Sequence, residues 1–484
     1  MSSRKTMRKS GKQTACTLFA MSLLLLVGTS AWAQQTGSSG APPAATGPDT
    51  STQSIENPPL SGLDEPSFEP GFGARSYLIP KAQVSEAVDT NPAGTLGSKT
   101  VVKEVTRGLG SLTLQKLWKI HPLDVDYTGG IVWYNGKNSN VSQVHSLAAT
   151  QRILWRTGQL ALRDSFSYLP QGSFGGGSFG GAGGLGGSGG VTSGGGIAGG
   201  GGGGIFTSGQ FGSLGIQPRI TNTSIVDVTQ GLSPRASVTL AGSYGWTNFL
   251  NNPQGFLNSQ QISAQAGYSY KLSRQDQVAV SYGFQEFHFP RAGSGSINVH
   301  VWQVSYGHRI SGKLDFTAGG GPQWIHVNNP LSGSGSFLSG AGRGALTYHQ
   351  SARTDVRLTY SHFTNPGSGF FAGSNTDSVR LGVTRALARR WHADADTGYS
   401  RNSRVIAVPT STANNSHTYA YWYVGGSLRR QIGHQFSAYT SYQYDSINFS
   451  SGFCSASNPN CSHGYGRHVG LIGFEWTPHP IRLD

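Results

Sequence analysis

From about residue 123 to the end, the chain alternates apolar and polar positions in segments of 10–14 residues. In Gln261–Lys271, Ile262, Ala264, Ala266, Tyr268 and Tyr270 fall on one face, and Ser263, Gln265, Gly267, Ser269 and Lys271 on the other. Side chains alternate faces along a strand, so this two-residue period predicts β-structure. The period recurs in Val238-Leu240-Gly242-Tyr244-Trp246, Val356-Leu358-Tyr360 and Ala420-Trp422-Val424-Gly426-Leu428. Sixteen strands are expected, starting near Asp124, Val144, Gln159, Arg219, Arg235, Gln260, Gln277, Asn298, Lys313, Phe337, Thr354, Asp377, Trp391, His417, Gln435 and Tyr465.

The connections alternate between two classes. Short ones include Arg156-Thr157-Gly158, Leu232-Ser233-Pro234, Ser311-Gly312-Lys313 and Ala388-Arg389-Arg390. The others are longer and polar, among them 170–217, 248–258, 365–376 and 450–463. Each strand is long enough to cross a bilayer at a tilt, which takes about 9–11 residues. A propeller blade would instead repeat four strands. A soluble sandwich would have to fill its core with the Gly and Ala that recur on both faces. An even number of strands, short turns at one end and long loops at the other describe an antiparallel transmembrane β-barrel of about 16 strands.

These paired strands and unequal connections resemble the porin-type outer-membrane β-barrels of Gram-negative bacteria. The resemblance covers Asp124 to the end and rests on patterning rather than on a fingerprint motif. It implies a channel in the cell outer membrane, in contact with its lipid, for passive diffusion of small polar solutes. It leaves a homo-trimer open. The family's last strand usually ends the chain on an aromatic residue. Here Gly470, Ile472, Phe474 and Trp476 keep the alternation, and the chain then runs on through 477–484.

The first residues agree with export. Arg4, Lys5, Arg8, Lys9 and Lys12 precede an apolar run from Leu18 to Val27, and Ala31-Trp32-Ala33 follows as a cleavage pattern. Residues 1–33 thus read as a signal peptide. Residues 34–70, rich in Pro, Ser and Gly, read as a disordered linker. Residues 71–122 are expected as a periplasmic or lumen-associated segment, forming a short helix or an extra strand. Residues 123–484 form the barrel.

Composition sharpens this picture. The chain has 71 Gly, 19 Tyr, 22 Phe and 10 Trp, but only 12% charged residues, against a usual share of about 25%. That suits a wall with lipid on one side. The net charge is +14, five of it from the first stretch. Cys454 and Cys461 are expected to form a disulfide in an oxidising compartment. Two free thiols or half a metal site are the alternatives, and no His or Cys cluster completes a zinc pattern.

Gly172–Gly204 holds 21 Gly in 33 residues. It lacks a phosphate-loop pattern, and three readings stay open: a mobile external loop, a loop narrowing the pore mouth, or a clasp on a neighbouring subunit. Polar residues opposite apolar neighbours are the expected pore lining: Arg152, Arg163, Lys271, Arg309, Arg343, Arg357, Arg380 and Arg429, with Asp126, Asp315, Asp394, Asp396 and Asp445. The basic excess leans toward weak anion preference. His392, Asp394 and Asp396 share one strand face, but successive side chains there are about 7 Å apart, too far for one small cation. No metal or cofactor is expected, and no nucleic-acid partner. There is no G-x-S-x-G or H-E-x-x-H pattern, so an enzyme is not expected. Asp164 falls on an apolar face, which predicts a bulge that shifts the register there. The second functional reading is a plugged or structural barrel, acting in adhesion or surface display through its loops.

Overall fold

The computed structural model describes residues 76–91, 102–118, 120–135, 140–169, 219–250, 257–290, 295–329, 333–351, 353–366, 371–406, 418–450 and 464–483. The signal peptide, the linker at 34–70, the Gly-rich segment and the Cys454–Cys461 pair lie outside them.

The strands, in chain order, are β1 (Tyr77–Asp89), β2 (Lys103–Lys116), β3 (Leu123–Tyr134), β4 (Asn140–Trp155), β5 (Gly158–Leu169) and β6 (Arg219–Ser233). Then come β7 (Ala236–Phe249), β8 (Ser259–Lys271), β9 (Asp276–His288), β10 (Ser296–Ser311), β11 (Leu314–Asn329) and β12 (Gly333–Ser351). The last are β13 (Thr354–Asn365), β14 (Ser374–Ala388), β15 (Trp391–Arg404), β16 (Thr418–Ile432), β17 (Phe436–Phe449), β18 (Gly464–Trp476) and the two-residue β19 (Ile481–Arg482). Each strand from β1 to β18 pairs antiparallel with its sequence neighbour, and β1 pairs with β18, from Ala82↔Trp476 to Asp89↔Val469. The wall is therefore a closed ring of 18 strands. Closure satisfies every ladder hydrogen bond, which lipid could not do.

All sixteen expected strands are present, β3 to β18. The two additional ones are β1 and β2, so residues 77–116 join the wall rather than hanging below it or filling it. The tail beyond Trp476 turns back, and its β19 pairs with Tyr77 and Leu78. Trp476 is thus the aromatic end of the last full strand.

The short turns share a device. The Oγ atoms of Ser233, Ser311 and Ser351 each accept a hydrogen bond from the backbone N–H two residues on, at Arg235, Lys313 and Arg353, all at 3.2 Å. Ser273 does the same for Gln275 at 3.0 Å. Hydroxyls that hold their own backbone in this way favour turns over ladders.

The outward face is apolar and exposed: Val84, Ile131, Leu240, Ile262, Val280, Val304 and Ile472 are examples. Its tryptophans form two levels. Trp155, Trp391 and Trp476 sit at the short-turn ends of their strands. Trp133, Trp246, Trp302, Trp324 and Trp422 lie about ten residues farther up, which is roughly 25 Å for strands tilted by some 40°. That matches the apolar band between the aromatic girdles of an outer-membrane barrel. The short-turn end is the periplasmic one.

Candidate functional site

The opposite face of the same strands points into the barrel. All thirteen expected lining residues lie on it, as the ladder registers and burial alternation place them. Lys271, Arg309 and Asp315 stand at the periplasmic edge. The others are spread around the wall.

Many of these charges are joined. Arg163 Nη1 lies 3.0 Å from Asp227 Oδ1, between β5 and β6. Arg380 Nε donates to Asp396 Oδ2 at 2.9 Å, between β14 and β15. Arg309 Nε donates to Asp315 Oδ1 at 3.0 Å. Arg429 on β16 reaches across β17 to Glu475 on β18, and also donates to Ser437 Oγ at 2.9 Å.

From Arg429 a belt of alternating charge runs around the lower wall. Lys81 on β1 lies beside Glu475, Arg429 and Asp126. Thr113 on β2 donates to Asp126 Oδ1 at 2.7 Å. Asp124 on β3 lies beside Arg152 on β4, which in turn neighbours Arg163 and Asp227. Sequence reasoning missed Lys81, Asp124, Asp227 and Glu475. Asp124 has the parity of Asp126, and Asp227 that of Ile225, so strand parity alone could have found both. Lys81 lies on a strand whose two faces contrast too weakly to be read.

The sector from β12 to β14 is more basic. Arg343, Arg357 and Arg380 face inward on three adjacent strands. The inward acids of these three strands are limited to Asp355, hydrogen-bonded to His349 near the periplasmic edge.

The loop-side half of the interior is tighter. Arg467 on β18 grips Asp89 on β1 with two bonds, Nε–Oδ1 at 2.9 Å and Nη2–Oδ2 at 2.5 Å. Both side chains are buried. Asp445 accepts from Tyr421 Oη at 2.7 Å and from Gln443 Nε2 at 2.5 Å. Three apolar clusters also face inward, one of them at the seam around Val105, Leu109 and Tyr134, and the other two farther round the wall. Of these two, one contains Phe287, Ile297, Val299, Ile325 and Ala372, the other Phe371, Tyr419, Tyr421, Tyr423 and Ile447.

The connection between β13 and β14 links the latter two, because its adjacent residues Phe371 and Ala372 belong one to each. Phe371 packs on Tyr419 at 5.3 Å between ring centroids and lies under the Arg404 guanidinium at 4.8 Å. Gly373 adopts φ +77°, and a Cβ there would stand 2.0 Å from Ile297 Cδ1. Glycine at 373 thus meets both a left-handed backbone and a close approach. Residues 371–373 thus fold inward, a feature that period-2 patterning cannot reveal.

The remaining chemical candidates resolve simply. His392, Asp394 and Asp396 do share an inward face, but Asp394 accepts from Ser427 Oγ and Asp396 holds Arg380. No group of metal-ligating side chains occurs among the described residues. The bulge expected near Asp164 is absent: β5 pairs in unbroken register with β4 and β6. Asp164 therefore faces outward. Asn222 Nδ2 at 3.2 Å and Ser224 Oγ at 2.5 Å donate to it from β6, lowering the cost of its position. His145, outward on β4, shares a hydrogen bond with the Tyr127 hydroxyl at 2.9 Å.

A closed antiparallel wall with an exposed apolar exterior, two aromatic girdles and a polar, charged interior defines the fold: the protein has the architecture of an antiparallel transmembrane β-barrel of the outer-membrane type. No protein-family model matches the sequence, and no curated protein matches it. Solved structures of similar architecture include Pseudomonas aeruginosa OpdQ, with TM-score 0.40 and 9% identity, over 84% of this chain and 99% of that one. P. aeruginosa OccK2 (OpdF) in complex with glucuronate gives TM-score 0.41 and 6% identity, over 84% and 98%. The FrpB iron transporter from Neisseria meningitidis gives TM-score 0.41 and 8% identity, over 83% and 82%.

Proposed function

We propose that the protein is an outer-membrane channel for passive diffusion of small polar solutes, with a weak preference for anions. The observation that carries this reading is the inward face. It presents a belt of alternating charge over a closed wall, and a sector in which Arg343, Arg357 and Arg380 face inward on adjacent strands, Arg380 being paired with Asp396 on β15. A solute that sheds part of its water inside such a wall finds fixed charges and hydroxyls to replace it. Where paired Arg and Asp alternate, the fields largely cancel. The excess of inward bases over inward acids on β12 to β14 favours an anion.

The second reading, a narrowed or plugged barrel, draws on the inward apolar clusters and on Phe371 and Ala372, which belong one to each of two of them. Purified barrel in a planar bilayer under a salt gradient separates the two. Stable conductance steps with an anion-directed reversal potential support the channel. Cation preference removes the selectivity, and a folded but silent barrel removes the channel.

A further inference from the structure

The periplasmic edge of the wall carries a repeated pattern that the interior does not use. At four of the five short turns between β6 and β15, an exposed aliphatic residue is followed two or three positions later by an exposed base. The pairs are Leu232 and Arg235, Leu272 and Arg274, Ile310 and Lys313, and Leu387 and Arg389. Arg353 and Arg390 add two more bases on the same arc, which runs without a gap over the hairpins from β6 to β15.

The acids of this edge are already engaged. Asp276 accepts from Ser273, Tyr306 and His308, Asp315 holds Arg309, and Asp355 holds His349. None of the six turn bases enters an ion pair among the described residues. The opposite end is reversed in sign. There the outward face carries Glu86, Glu104, Glu286 and Asp377, with Arg401 as its one Arg or Lys among the described strand residues.

We infer that this arc binds the headgroups of anionic glycerophospholipids in the periplasmic leaflet. The geometry fits a lipid rather than a soluble polyanion, because four of the six bases follow an exposed aliphatic side chain at the lipid-facing surface. Trp155, Trp391 and Trp476 mark the same level as an interface. The aliphatic residue enters the acyl boundary, and the base reaches the phosphate from it, as long cationic side chains do at membrane edges. Each base close to an anionic surface adds attraction that falls off within a Debye length.

The test uses the purified full-length barrel in nanodiscs of equal phosphatidylglycerol and phosphatidylcholine, with retained lipids counted by native mass spectrometry. The wild type should retain phosphatidylglycerol over phosphatidylcholine by about three-fold or more, since one fully apposed base contributes up to roughly five-fold. The preference should vanish in about 0.5 M salt and in the variant with all six bases changed to Gln. Heat-modifiable migration checks that this variant is folded. Should it not fold, Arg353→Gln with Arg389→Gln and Arg390→Gln should lose about half the preference. Equal retention of both lipids by the wild type overturns the proposal, as does an enrichment unchanged by either variant. Binding of the wild type to peptidoglycan sacculi without any lipid preference overturns it too. The channel reading is untouched by any of these results, because conductance is read separately.

Discussion

The ring closes where β1 meets β18, and the Arg467–Asp89 pair stands near the outer end of that seam. Its partners are 378 residues apart in sequence. Asp89 is completely buried and Arg467 nearly so. Changing Asp89 to Asn keeps the volume and removes the charge. Arg467 then remains buried against a neutral amide. Removing one partner of a buried pair costs about 3–5 kcal/mol. Asp445 faces the same arginine, which places the expected loss near the lower limit, about 3 kcal/mol. With a denaturant slope of roughly 3 kcal/mol per molar urea, the midpoint should fall by about 1 M. The assay is urea unfolding of the barrel in vesicles, followed by tryptophan fluorescence and by heat-modifiable migration. The double variant Asp89→Asn with Arg467→Met removes both charges and should recover to within about 1 kcal/mol of the wild type. A single variant within about 0.3 M of wild type, or a double variant no better than the single, would refute the argument that this pair holds the seam.

Three further outcomes follow from the same geometry. Arg343→Glu combined with Arg357→Glu reverses the basic sector, and the reversal potential under a salt gradient should move toward cations; an unmoved potential places these arginines away from the ion path. Phe371→Ala removes the ring that packs on Tyr419 and under Arg404, and single-channel conductance should rise, whereas an unchanged value means the β13–β14 connection does not restrict flow. Gly321→Ala places a Cβ 1.9 Å from the carbonyl oxygen of Trp302, a clash with backbone that cannot swing aside; it should destabilise the β10–β11 pair by about 1–3 kcal/mol, read as a lower unfolding midpoint.

The sequence by itself determined which residues form the wall from β3 to β18 and, on strands with strong contrast between faces, which side faces lipid. The physical reason is local. Side-chain direction alternates with a period of two, and lipid on one side against polar groups on the other writes that period into the chain. For the same reason the inward parity of Arg152, Asp126 and their companions was legible without coordinates.

Where the contrast between faces is weak, that signal fails. On β1 the outward positions include Pro80 and Glu86, and on β2 Glu104, Thr106, Gly108 and Gly110, while Val105 and Leu109 point inward. Periodicity could not place such strands, and it also failed to see that Asp164 faces outward in register, because the donors that make this tolerable lie on β6.

Only the tertiary structure decided the rest: that β1 and β18 close an 18-strand ring, that Asp89 meets Arg467, and that Arg429 finds Glu475 across an intervening strand. It also decided that Phe371 and Ala372 fold inward, one into each of two apolar clusters. These are contacts between residues far apart in the chain. Closure fixes them, because a ring has one register at its seam, and nothing in the local alternation of either strand specifies its partner.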